Sequence, residues 1–368
     1  LVRTWMVSLY AVSFQIAVLV VLVMVASFFL RRSSPAVRYG LWCIVLVRLC
    51  IPAELTLPQA LTGPARPPEW RTDNGSAMTA EERWRARRQA IARTRHSLNL
   101  AGLAWGTVFL GLTGCVGWRA IQLRRRIRRL PRVTGPEFET LLRECCTDMG
   151  LRRHIEVRYA PDSECTAPAV TSLLTPVVIL PETMARTWEP ADLNPILMHE
   201  LAHVRRFDVV INWLQIALQI VYFFHPLVWL ANWKIRSLRE EAADDLSVAS
   251  LAGGRTRYSS SLLRAVELAA APRPLCGAVG LHERKSDLVK RLRRLLTDGY
   301  RPSGERPAVC ALKIAVIGGL CLAVSGLVPA HTPFGPPKAL KRVAAGPAWD
   351  CRREGSGRCD EKKREGVR

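Results

Sequence analysis

Four long apolar runs constrain this chain more than any other feature: Trp5 to Leu30, Tyr39 to Leu57, Leu98 to Trp118 and Ala311 to Ala330. Each holds about 19 to 26 residues, the length an α-helix needs to cross roughly 30 Å of hydrocarbon. The second run contains only Arg48 and Glu54 as charged residues. Four transmembrane helices are therefore expected, near 5–30, 39–57, 98–118 and 311–330. The first run is longer than the apolar part of a secretory signal, lacks a clean small-x-small site, and is followed at once by a second span. It reads as a retained helix.

The formal charge of +22 raises the question of nucleic acid, and its distribution answers it. Arg31, Arg32 and Arg38 lie between the first two runs; Arg119, Arg124, Arg125, Arg126, Arg128, Arg129 and Arg132 follow the third. Basic residues beside spans mark the cytoplasmic side, so the N-terminus is expected outside and the segment between the third and fourth spans inside. Eight arginines between the second and third runs (Arg66, Arg71, Arg83, Arg85, Arg87, Arg88, Arg93, Arg95) run against that topology, although loops of this length obey the rule less strictly. The charge suits a lipid surface. No nucleic-acid recognition motif accompanies it, and no aromatics interleave a basic face. The eleven cysteines include no C-x-x-C pair, which excludes zinc ribbons. Cys351 and Cys359 are the one pair placed where a disulfide would persist, because the topology puts residues 331–368 outside.

Between these spans, residues 133–307 form the only stretch long enough for a domain with its own core; residues 1–132 make a membrane domain, and 331–368 a disordered tail. Pro136 to Met149 has helical period, and Ile155 to Tyr159 reads as a strand. Pro168 to Pro181 (PAVTSLLTPVVILP) suggests two short edge strands joined by a turn, available to hold an extended peptide. A helix follows with Asn194 as N-cap and Pro195 in the first turn. The apolar segment 209–233 is expected as a helix partly sunk in the membrane and kinked at Pro226. Ile235 to Leu251 is a charged helix. Ser286 to Leu296 is a basic amphipathic helix whose cations meet anionic lipid.

Chemistry concentrates in His199-Glu200-Leu201-Ala202-His203. On a helix, two histidines four residues apart share a face and can hold one zinc ion, while Glu200 takes a proton from the water activated there. Zinc needs a third protein ligand. The residues after His203 (VRRFDV) lack the metzincin continuation H-x-x-G-x-x-H, so the ligand must come from elsewhere. Arg239-Glu240-Glu241-Ala242-Ala243-Asp244-Asp245 offers two pairs on neighbouring faces of a helix: Glu240 with Asp244, and Glu241 with Asp245. In either pair one carboxylate can ligate while the other hydrogen-bonds a ligand imidazole.

The ordered series PAVTSLLTPVVILPE, LNPILMHELAHVRRFD, Asn212, FFHPLVWLAN and REEAADD resembles the BlaR/MecR-type antirepressor family of integral-membrane zinc metallopeptidases. The resemblance implies that His199, His203 and Glu240 are metal ligands and Glu200 the catalytic base, with Asp244, Asp208 and Asn212 in support. It implies a mostly α membrane protein: four transmembrane helices with an α+β, gluzincin-like zinc metallopeptidase domain inserted between helices 3 and 4, facing the cytoplasm of a bacterial inner membrane. It further implies Zn2+ as cofactor and a protein substrate, either a DNA-binding repressor or the chain itself. The 38 residues after the fourth run hold no S-x-x-K nucleophile motif, so sensing is expected to fall to a separate protein. A transducer that works by binding a partner, with proteolysis secondary, is the alternative.

Overall fold

The computed structural model describes residues 2–51, 80–165, 167–172, 175–251, 254–270, 285–297, 300, 302 and 306–327. The end of the second apolar run, the loop positions Arg66 and Arg71, the tail and its two cysteines lie outside these. Helix α1 (Val2–Phe29) closes in one 3-10 turn, and α2 (Pro35–Cys50) begins under a cap in which the Ser34 hydroxyl accepts the Ala36 N–H at 3.2 Å. Pro35 fills the first position of α2, where no N–H is needed. Helix α3 (Ala80–Arg129) runs 50 residues without a break. The third apolar run is thus only the middle of a longer rod: arginine is a good helix former, and the rod stops just before Pro131, which cannot continue it. Helix α11 is Pro307–Leu327.

Among the described residues, three helices are long and apolar enough to cross a membrane: Ser13–Arg32, Asn99–Arg129 and Pro307–Gly326. Helix α2, expected as a span over 39–57, starts four residues earlier and has 16 residues, about 24 Å. It packs nonetheless as part of the bundle. Ile16, Leu19, Val20 and Val23 of α1 meet Val37, Leu41, Trp42 and Val45 of α2 in one buried cluster. Glycines bring α11 against α2: a Cβ on Gly40 would collide with Cδ1 of Ile314, and one on Gly318 with Cδ1 of Ile44.

The remaining elements are α4 (Pro136–Asp148), β1 (Glu156–Ala160), β2 (Ala169–Thr171), β3 (Val177–Pro181), α5 (Glu182–Thr187), α6 (Pro190–Arg205), α7 (Asp208–Val221), α8 (Pro226–Ser250), α9 (Gly254–Ala270) and α10 (Lys285–Leu296). The strands lie in the order β1-β3-β2, with β1 parallel and β2 antiparallel to β3; Val157 and Val170 both face Val178 in register. The expectation of two edge strands holds for β2 alone. Strand β3, buried at all five positions, is central, because its only proline sits at its last residue and removes no donor from the interior of the ladder. The outer side of β1 is occupied by residues 131–133, through Val133 N–H to Val157 O (2.9 Å) and Tyr159 N–H to Pro131 O (3.2 Å). The outer side of β2 has no strand partner among the described residues.

Two further expectations are corrected. Helix α6 starts at Pro190, with Glu189 rather than Asn194 as N-cap, so Pro195 lies inside it. A proline there leaves the carbonyl four residues back without its N–H, and Arg257 of α9 donates to that Ala191 oxygen at 3.1 Å. The segment 209–233 is not one kinked helix. It divides at residues 222–225 into α7 and the start of α8, because Pro226 takes the first position of a new helix.

Candidate metal centre

Helix α6 passes through the core of its half of the protein, with Leu193, Ile196, Leu197, Met198, Leu201 and Ala202 all buried. Its two histidines emerge on one side, four residues apart, towards α8. There His199 Nε2 lies 3.2 Å from His203 Nε2, and Glu240 Oε2 lies 3.4 Å and 3.5 Å from these two atoms. Three ligands of a tetrahedral zinc ion with bonds of about 2.0–2.1 Å stand roughly 3.3–3.4 Å apart. The donor set and spacing therefore fit zinc. These three residues form the one possible metal-holding group found among the described residues.

Each imidazole is oriented from behind. The Tyr258 hydroxyl donates to Asp244 Oδ1 at 2.6 Å and stands 2.8 Å from His199 Nδ1. Burial and the Asp244 carboxylate push the Tyr258 hydroxyl well above its ordinary pKa, so it stays protonated. Its proton being committed to Asp244, its oxygen can only accept from His199 Nδ1–H, which leaves the Nε2 lone pair facing the triangle. His203 Nδ1 is 2.8 Å from Asp208 Oδ2, and the same logic frees its Nε2. Burial disfavours the His203 imidazolium, but the Glu240 and Asp208 carboxylates outweigh it and hold its pKa up to about 10, so at neutral pH Nε2 carries a proton that a bound zinc ion would replace. Burial also opposes ionisation of Glu240; His203, His199 and Arg239 reverse that and hold it well below the usual carboxylate range.

Asp208 reaches His203 through a sharp turn. Phe207, with φ of 57° and ψ of 31°, is a left-handed residue without the excuse of being glycine, and it reverses the chain between α6 and α7. The guanidinium of Arg153 sits over its ring, 4.9 Å from the centroid.

Glu200 follows His199 on α6 and is 7% exposed. Asn212, one turn into α7, is half-buried and makes no hydrogen bond to the ligand triangle among the described residues. Glu241 and Asp245 turn away from it: Glu241 pairs with Arg38 of α2 (3.1 Å), and Asp245 with Arg294 (2.6 Å) and Tyr300 (2.8 Å). Three residues near the centre had no marker in the sequence: Tyr39, Tyr258 and Arg291. The last corrects the expectation that α10 turns its cations to lipid. Arg291 grips fully buried Asp244 at 2.6 Å and 3.0 Å, with another nitrogen 3.5 Å from Glu240 Oε2. Two buried carboxylates on α8 need cations, and α10 supplies Arg291 and Arg294 while Lys290 and Arg293 stay exposed.

A family model described as BlaR1 peptidase M56 matches residues 5–295. The regulatory protein BlaR1 of Bacillus licheniformis is 28% identical over 117 residues, 32% of this chain and 19% of the relative. The methicillin resistance mecR1 proteins of Staphylococcus aureus and Staphylococcus epidermidis are each 25% identical over 114 residues, 31% of this chain. The matched stretch spans about a fifth of the length of these relatives, 19% in each case.

Proposed function

Because this chain belongs to the BlaR1 peptidase M56 family, we propose that it is a membrane-embedded zinc endopeptidase that cleaves a cytoplasmic protein, in the manner of an antirepressor. The observation that carries the reading is the triangle of His199, His203 and Glu240 with its edges of 3.2, 3.4 and 3.5 Å. Zinc held there would polarise the scissile carbonyl and acidify water near neutral pH. The chain's own residues do the rest. Glu200 receives the proton of the attacking water and returns it to the leaving amine. The open edge of β2, on a strand packed against α6, takes the substrate as an added strand. Tyr258 and Asp208 keep both imidazoles in the ligating tautomer.

The three long apolar helices support a multi-pass membrane position, and the arginines that end α3 support a cytoplasmic peptidase half. One relative is named a regulatory protein, which suits a regulatory substrate; our reading takes that substrate to be a DNA-binding repressor, with the chain itself as a second target. The test is zinc analysis of the purified protein, with cleavage of candidate repressors by wild type and by Glu200→Gln. Glu200→Gln should keep its zinc and lose activity by at least about 100-fold, the lower range for a general base. Wild type without zinc, or equal cleavage by both forms, refutes the reading.

A further inference from the structure

The two imidazoles of the triangle are anchored to different parts of the molecule. His199 is held within its own half, by Tyr258 of α9 and the Asp244 and Arg291 pair on α8 and α10. His203 is held by Asp208, and the other oxygen of Asp208 is held by α2: the Tyr39 hydroxyl donates to Asp208 Oδ1 at 3.0 Å. Asp208 is 2% exposed, so water cannot substitute for a lost partner there. Arg206, whose guanidinium lies 4.7 Å from the centroid of the Tyr39 ring and 3.6 Å from Asp208 Oδ1, completes the clasp. The residue after Tyr39 is Gly40, against which Ile314 of α11 packs.

We infer that Tyr39 is a positioning residue of the metal centre: through Asp208 it fixes the ring of His203, so that the seating of helix α2 sets how tightly the site holds its metal. The inference rests on the zinc peptidase reading and adds its control. A carboxylate with one oxygen on the imidazole and one on a tyrosine has its plane fixed by both. Removing the tyrosine hydroxyl lets the carboxylate rotate about its remaining hydrogen bond and loosens the ring behind the ligating nitrogen. A displacement of α2 along its axis would do the same without any change in the ligands. Helix α2 is in this way wired to the His203 imidazole through two hydrogen bonds.

The experiment uses the full chain in detergent. Zinc affinity is measured by chelator competition, and site geometry by the visible spectrum of the cobalt-substituted protein. Four proteins are compared: wild type, Tyr39→Phe, Asp208→Asn, and Thr107→Ala, which removes an exposed hydroxyl of α3 that donates within its own helix to Leu103 O at 2.9 Å. Loss of an outer partner of a ligand costs about 10–100-fold in metal affinity, and that is expected of Asp208→Asn. Tyr39, one step further out, should cost roughly 3–10-fold and shift the cobalt bands, while Thr107→Ala changes neither. The inference is overturned if Tyr39→Phe matches wild type in both readouts, or if Thr107→Ala is affected as much. If wild type itself binds no metal, it is the peptidase reading that fails, and this inference goes with it.

Discussion

Glu240 and Glu241 are separated by one residue step on α8, about 100° around the helix, and that step divides the candidate metal centre from a half-buried ion pair. Glu240 sits at 3.4 Å and 3.5 Å from the two imidazole nitrogens; Glu241 reaches Arg38 instead, with both side chains partly exposed. Glu240→Gln should therefore weaken zinc binding by at least about 100-fold, more than the loss of an outer partner costs. Glu241→Gln should leave it within about fivefold, since a partly exposed ion pair away from the ligand nitrogens contributes about 1 kcal/mol or less. Chelator competition on the two variants decides between the two glutamates, which sequence spacing alone could not. The histidines were legible because their relation is local, four residues on one helix. Tyr258, Arg291 and Tyr39 were not, because their contacts close over 59, 92 and 169 residues, and no periodicity carries information over such distances. Arg291 was further hidden by the pattern of its own helix: a basic amphipathic stretch looks the same whether its cations meet lipid phosphate or a buried carboxylate.

Among the elements, helix identity was readable and helix boundaries were not. Proline explains most of the differences. Pro190, Pro195 and Pro226 each qualify for a first turn, and only tertiary contacts decide which of them does; Arg257 relieves the cost of Pro195 by taking the Ala191 carbonyl. The glycines between α2 and α11 carry a different kind of information. Gly318→Val places a side chain where Ile44 already stands and should destabilise the bundle by about 1–3 kcal/mol. Ile44→Ala in the same chain should restore part of that stability, a coupling read from thermal unfolding in detergent. Additive losses would mean that the two helices do not meet there. The turn at Phe207 sets a stricter limit. One residue inserted after Arg206 would rotate Asp208 by about 100° around α7 and carry it away from His203.

At the scale of the molecule, apolar surface is distributed as a bilayer would require. The apolar part of α3 between Asn99 and Arg129 has no buried residues, with Leu103 at 67% and Leu110 at 69% exposed. Inside, two main hydrophobic clusters form among the described residues. One gathers α1, α2, α7 and α11; the other gathers α4, the sheet, α6, α9 and α10. Helix α8 belongs to both: Val228, Ala231, Ile235 and Leu238 enter the first, Ala243 and Val248 the second, and Glu240 lies at the crossover. A 25-residue helix of about 37 Å thus acts as a shared beam, and melting either cluster would expose buried residues of that helix. Calorimetry of the full chain should accordingly record one cooperative transition rather than two. Zinc, gripped at the beam's midpoint, should raise its temperature as a single peak, so that heat tolerance of the lipid-facing bundle becomes a gauge of metal occupancy in the peptidase half.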